Sequence, residues 1–187
     1  MSSEYQILLD EVRQSFASAV WTHKIQEKQS DIYHAKYNKF ECTNIFSSAL
    51  SASGILAAMF HDEVWVKAFA AVISFVSLFC AAYLKSFNLK EKEMAHKHCA
   101  NKFAIIRNKL LHLIADIRRK NRSVEEITSD YKTILSEIND LYINAPTTSS
   151  KAVNHARIAL NVLKEYSYTD EEIDKFLPPG LRGRLEE

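Results

Sequence analysis

Apolar positions recur at helical spacing along most of the chain. Tyr5, Leu8, Leu9, Val12, Phe16, Ala19, Val20 and His23 fall three and four residues apart, which predicts one apolar face on a long N-terminal helix. At Cys42 this alternation stops. Cys42 to Phe60 holds 19 residues without a charge, about 28 Å of helix at ~1.5 Å per residue. A second apolar run extends from Val64 to Leu84, with Lys67 as its one charge, within a turn of the end, where it can snorkel to an interface. A membrane span needs ~20 mostly apolar residues. Both runs qualify, and only His61-Asp62-Glu63 separates them, so they are expected to form a tight antiparallel hairpin.

Beyond the second run the periodicity returns. His96, Cys99, Phe103, Ile106, Leu110, Leu113 and Ile117 alternate three- and four-residue steps, the pattern of a coiled-coil seam. The basic group Arg118, Arg119, Lys120 and Arg122 suits the C-terminal end of that helix. Ser123-Val124-Glu125-Glu126 reads as a capping box opening the next helix, whose seam is Ile127, Tyr131, Ile134, Ile138 and Leu141. Pro146 and Thr147-Thr148-Ser149-Ser150 make a short break. A further helix is expected to bury Val153, Ala156, Leu160 and Leu163, and Thr169-Asp170-Glu171-Glu172 caps a last one that stops before Pro178-Pro179-Gly180. The fold class is therefore all-α: a two-helix transmembrane hairpin continuous with long cytoplasmic helices that form a helical bundle or coiled coil, in a homo-oligomer. The expected division is 1–41, an N-terminal cytoplasmic amphipathic helix; 42–84, the hairpin with spans 42–60 and 64–84; and 85–187, a C-terminal cytoplasmic helical region.

Composition supports this division. From Met1 to Ala145 there is no proline and one glycine, Gly54, too little punctuation for a many-stranded β fold. The mean hydropathy of −0.19 looks soluble only because polar helices dilute the two apolar runs. Net charge is +1, unevenly laid out. Lys24, Lys28, Lys36 and Lys39 precede the first run and Lys85, Lys90, Lys92, Lys97 and Lys102 follow the second, while the connection holds two acids. By the positive-inside tendency both termini face the cytoplasm. Cys42, Cys80 and Cys99 show no paired spacing, which fits a reducing compartment. The first residues lack the pattern of a signal peptide. A soluble helical bundle is the competing reading; it would have to shield both runs on every side in a small chain.

The first span carries the most information. At 100° per residue Asn44, Ser47, Ser48, Ser51, Gly54 and Ala58 share one face, with Phe46, Leu50, Leu56 and Phe60 opposite. Two explanations stand. Small residues let helices pack closely, and Gly54 and Ala58 have the small-xxx-small spacing for it. Alternatively the stripe lines a water-accessible lumen in an oligomer, its hydroxyls and amides replacing ion hydration. A second cluster, Trp21, His23, Lys24, Glu27 and Lys28, is a candidate assembly or trigger site.

Other chemistry finds little support. His96, His98 and Cys99 suggest a metal, but residues two apart diverge on a helix and His96 and Cys99 belong to the seam. No phosphate loop, nucleophile elbow, zinc spacing or carboxylate pair is present. No enzyme, cofactor, metal site or direct nucleic-acid binding is expected; the Arg118 to Arg122 group reads as a solvated helix end.

The arrangement resembles the SLATT family, the SMODS- and SLOG-associating two-transmembrane effectors. The features are the N-terminal helix with Trp21-Thr22-His23-Lys24-Ile25-Gln26-Glu27-Lys28, the close hairpin from Cys42 to Leu84 and the helical C-terminal part. The resemblance implies a membrane effector of bacterial antiphage or conflict systems, in the inner membrane, that opens a pore or disrupts the bilayer. It also implies a separate sensor as trigger, a nucleotide-signalling protein or a reverse transcriptase. The alternative is a non-conducting membrane scaffold that displays its helices to a partner.

Overall fold

The computed structural model describes residues 3–60 and 63–176, with side chains from Glu4 to Leu56 and from Glu63 to Phe176. Six α-helices, α1 (Ser3–Phe60), α2 (Val64–Phe87), α3 (Leu89–Arg119), α4 (Val124–Ile143), α5 (Ser150–Arg157) and α6 (Asp170–Phe176), account for nearly all of them, and no strand occurs among the described residues. His61 and Asp62 of the expected turn, Ala58 as a side chain, and Pro178-Pro179-Gly180 lie outside the described set.

α1 runs unbroken for 58 residues, about 87 Å, so it passes the expected boundary at residues 41 and 42 without interruption. α2 and α3 return antiparallel along it. Contacts descend α1 as they ascend its partners: Gly54 against Ala70, Ser48 with Ser77, Phe40 on Tyr83, Ser30 with Glu93, Gln26 with His96. Between α2 and α3 the chain breaks at Asn88, in the left-handed region at φ 46°, a conformation asparagine tolerates better than most residues. α4 then runs parallel to α1. The Tyr5 hydroxyl donates to the Arg122 carbonyl at 2.9 Å, Tyr131 meets Ser15, Tyr142 meets Ser18 and Thr22, and Gln26 donates to the Pro146 carbonyl.

The core lies among α1, α3 and α4. Leu8, Leu9, Val12 and Ala19 meet Cys99, Phe103, Ile106, Leu110, Leu113 and Ile117, and Ile127, Tyr131, Ile134 and Ile138 close the third side. The α3 seam is thus filled within one chain, so a second subunit would have to use another face. His98 is exposed whereas His96 and Cys99 are buried, and no metal-binding group of His, Cys, Asp or Glu occurs among the described residues. The capping box forms as expected: Glu126 N–H donates to Ser123 Oγ and Ser123 N–H to Glu126 Oε2, both at 3.2 Å. Ser123→Ala should lower the stability of the detergent-solubilised protein by ~1 kcal/mol in thermal unfolding.

One element differs from expectation. α5 buries Ala152 and Ala156, and Ala159 lies buried in the next turn, while Val153 and Leu160 are half-buried and Leu163 is exposed. Small side chains allow α5 to lie close on α1, and a π-helical turn at Ile158–Val162 shifts the helical phase beyond it. The helix therefore ends before Leu163, and the chain turns back towards α1.

Candidate functional site

Two sites emerge along α1. The first is the seam of the hairpin. Asn44 Oδ1 accepts from Ser77 Oγ at 2.8 Å, Ser48 and Ser77 share a hydrogen bond of 2.6 Å, and Ser51 bonds Ser74. Ser47 and Ser51 are buried. At Gly54 a Cβ would stand 3.1 Å from the Ala70 Cβ, so α1 and α2 pack closely there and glycine leaves the room that contact needs. Five of the six stripe residues thus sit at or beside the α1–α2 contact, and Ala58 lies beyond the described side chains. The partners Ser74 and Ser77 were not legible: among bulky neighbours, two serines three residues apart look like ordinary dilution of an apolar helix. One edge of the seam stays open as a groove of about 510 Å³ lined by Asn44, Ser48, Ser51, Ser74 and Ser77 with Ala52, Ile55, Leu78 and Ala81.

Around that polar seam the hairpin is bare and apolar. Ile45, Phe46, Leu50, Ile55, Leu56, Val64, Trp65, Phe69, Val72, Phe75, Leu78 and Phe79 are all exposed. Among the described residues the stretch Val64–Arg119 holds a window long and apolar enough to cross a membrane, and only 11% of that window is buried. Water would not tolerate so large a contiguous apolar surface on a lone chain.

The second site surrounds Lys24, whose side chain is 1% exposed. Its Nζ donates to Glu27 Oε2 at 2.6 Å and to Glu165 Oε2 at 2.7 Å, and sits 4.0 Å from the centre of the Tyr166 ring. The Tyr166 hydroxyl donates to the same Glu27 oxygen at 2.6 Å. The His23 ring stacks on Tyr166 at 5.3 Å, Arg107 of α3 approaches the same ring at 4.9 Å, and Lys28 reaches Glu165 at 3.7 Å. His23, Lys24, Glu27 and Lys28 therefore do converge; Trp21, half-buried, lies outside this network. Sequence reading missed Glu165, Tyr166 and Arg107, because nothing local marks such distant residues as partners of this stretch of α1.

Burial alone would lower the Lys24 ammonium, yet the bonds from Glu165, Glu27 and Tyr166 more than reverse this and hold it above the usual lysine value. The bond from Lys24 holds Glu165 below the carboxylate range. His23 is pushed down, chiefly by burial and further by Arg107 and Lys24 against the opposing Glu27; burial also pushes down His96. A histidine whose folded value lies below its unfolded ~6.5 binds its proton more readily unfolded. Stability from His23 and His96 is thus complete above pH ~6.5 and lost as pH falls from there towards their folded values. The unfolding midpoint should drop as pH falls below ~6.5, and replacing both histidines by glutamine should flatten that drop. A cavity of about 380 Å³ between α1 and α3 adjoins the cluster, lined by His23, Glu27, Ser30, Asp31, His34, Glu93, Lys97 and Asn101.

The family described as SMODS and SLOG-associating 2TM effector domain family 4 matches residues 8–172, which take in the hairpin and both sites. The chain belongs to this family. No curated protein and no solved structure matches it. As a SLATT effector domain it is a membrane protein, which accounts for the bare apolar hairpin.

Proposed function

We propose that this SLATT protein is the membrane-disrupting effector of a bacterial antiphage or conflict system. It sits in the inner membrane with two spans, both termini cytoplasmic, and assembles into a homo-oligomer that opens a pore when a separate sensor, a nucleotide-signalling protein or a reverse transcriptase, triggers it. The observation that carries this reading is the open hydroxyl groove: Asn44, Ser48, Ser51, Ser74 and Ser77 line it on a hairpin otherwise apolar and bare. Polar groups at membrane depth are retained where they face a partner or a water-filled space. Hairpins arranged around an axis with their grooves inward would present rings of hydroxyls and amides to a lumen. The trigger acts through the cytoplasmic helices; catalysis and direct nucleic-acid contact play no part.

A second reading has its own support. Ser51 with Ser74, Ser77 with Asn44 and Gly54 against Ala70 use much of the stripe for packing within one hairpin, as a non-conducting scaffold would. Dye release from vesicles separates the two: the pore releases dye from a correctly inserted and triggered oligomer and the scaffold does not.

A further inference from the structure

We infer that residues 163–168 form a releasable clasp that locks α1 to α3 and so holds the hairpin in its resting arrangement; this rests on the membrane-effector reading above. Tyr166 is the pin. Its ring lies against His23 and Lys24 of α1 and against Arg107 of α3, while its hydroxyl bonds Glu27. Glu165 beside it closes on Lys24 and reaches Lys28. These are the helices that lead into the two spans. α1 is one continuous rod from the clasp to Phe60, with Lys24 about 27 Å along the axis from Cys42. α3 joins α2 through the break at Asn88. A change in the α1–α3 contact therefore has a rigid route into one span and a bend at the base of the other.

Three features make the clasp separable from the rest of the bundle. It is fastened by charge and hydrogen bonds, with little apolar burial: Val162 is 70% exposed, Leu163 64% and Tyr168 67%. It is held in an unfavourable backbone, with Lys164 at φ 51° and Tyr166 at φ 73°, both non-glycine residues in the left-handed region. Its Tyr166 ring stacks on His23, whose Nδ1 is buried with no hydrogen-bond partner, a group that water reaching the ring on opening would satisfy. When the clasp opens, Lys24 keeps Glu27, so α1 is not left with an unpaired buried charge. These features lower the cost of opening, as a switch requires.

The test uses the full chain reconstituted in dye-filled vesicles of phosphatidylethanolamine and phosphatidylglycerol, with Glu165→Gln and, as the milder change, Tyr166→Phe. Amide hydrogen exchange over 150–168 and dye release are read on the same samples. The expected result is exchange at least tenfold faster in that segment, unchanged exchange in α3, and at least tenfold faster release without any partner. Faster exchange with release at the wild-type rate would overturn the clasp as a restraint and leave the effector reading intact. Unchanged exchange in both variants would overturn the clasp itself. Faster exchange with no release from any protein, wild type included, would overturn the restraint alone, because an effector that waits for a separate sensor also stays closed in this assay; killing on induction in cells tests the effector reading separately.

Discussion

Gly54→Leu is expected to abolish membrane damage while the protein still inserts. At Gly54 even a methyl group would stand 3.1 Å from the Ala70 Cβ, tight enough that a neighbour must yield a few tenths of an ångström. Leucine adds three further carbons, so α1 and α2 must move apart. Separation would pull Ser51 from Ser74 and Ser48 from Ser77, the bonds that define the groove. Lipid tails are as apolar as leucine, so insertion does not suffer. Killing on induction should fall at least tenfold, with the protein still in the carbonate-resistant membrane fraction. Gly54→Ala should be milder, and Ser51→Leu should behave like Gly54→Leu. Full killing by the leucine variants would favour the scaffold reading.

The largest loss of stability is expected at Phe103, which is 0% exposed, sits midway along the buried face of α3 and has its ring 5.2 Å from that of Tyr142. Phe103→Ala removes packing shared by α1, α3 and α4 and should lower stability by about 3–5 kcal/mol. Leu111, on the same helix but exposed, serves as the control: Leu111→Ala should stay within about 0.5 kcal/mol. Chemical unfolding of the detergent-solubilised protein measures both. Equal effects at the two positions would mean that the α3 seam is not the core of the helical bundle.

Much of the fold was legible because helical periodicity is a local signal. The face from Leu8 to Ala19, the α3 seam, the α4 seam and the Ser123 capping box all arise from spacing within one or two turns. The single helix from Ser3 to Phe60 reflects the lack of proline. Choices made over long range left no such local trace. Leu163 fits a helical stripe as well as Ala159 does, and only close packing on α1 decides that alanines face inward. Lys24 stood in the candidate cluster with Trp21 and His23, but its anchors Glu165 and Tyr166 come from a turn with two left-handed residues that no local pattern announces. The stripe from Asn44 to Gly54 was visible as a face, and its immediate partner was not: the structure gives it Ser74, Ser77 and Ala70 of the same chain. Oligomer contacts, if built on this face, use what the groove leaves open.

On the topology proposed above, the hairpin is dissolved in lipid with its turn on the outer side. Replacing the three native cysteines by serine and placing one cysteine at Asp62, or alternatively at Ser2, lets a membrane-impermeant thiol reagent report each side in spheroplasts. Rapid labelling at position 62 is expected in intact spheroplasts, with labelling at position 2 only after the membrane is permeabilised. Equal labelling of both positions after permeabilisation alone, with the protein released by carbonate, would place the hairpin inside a soluble bundle and contradict that claim.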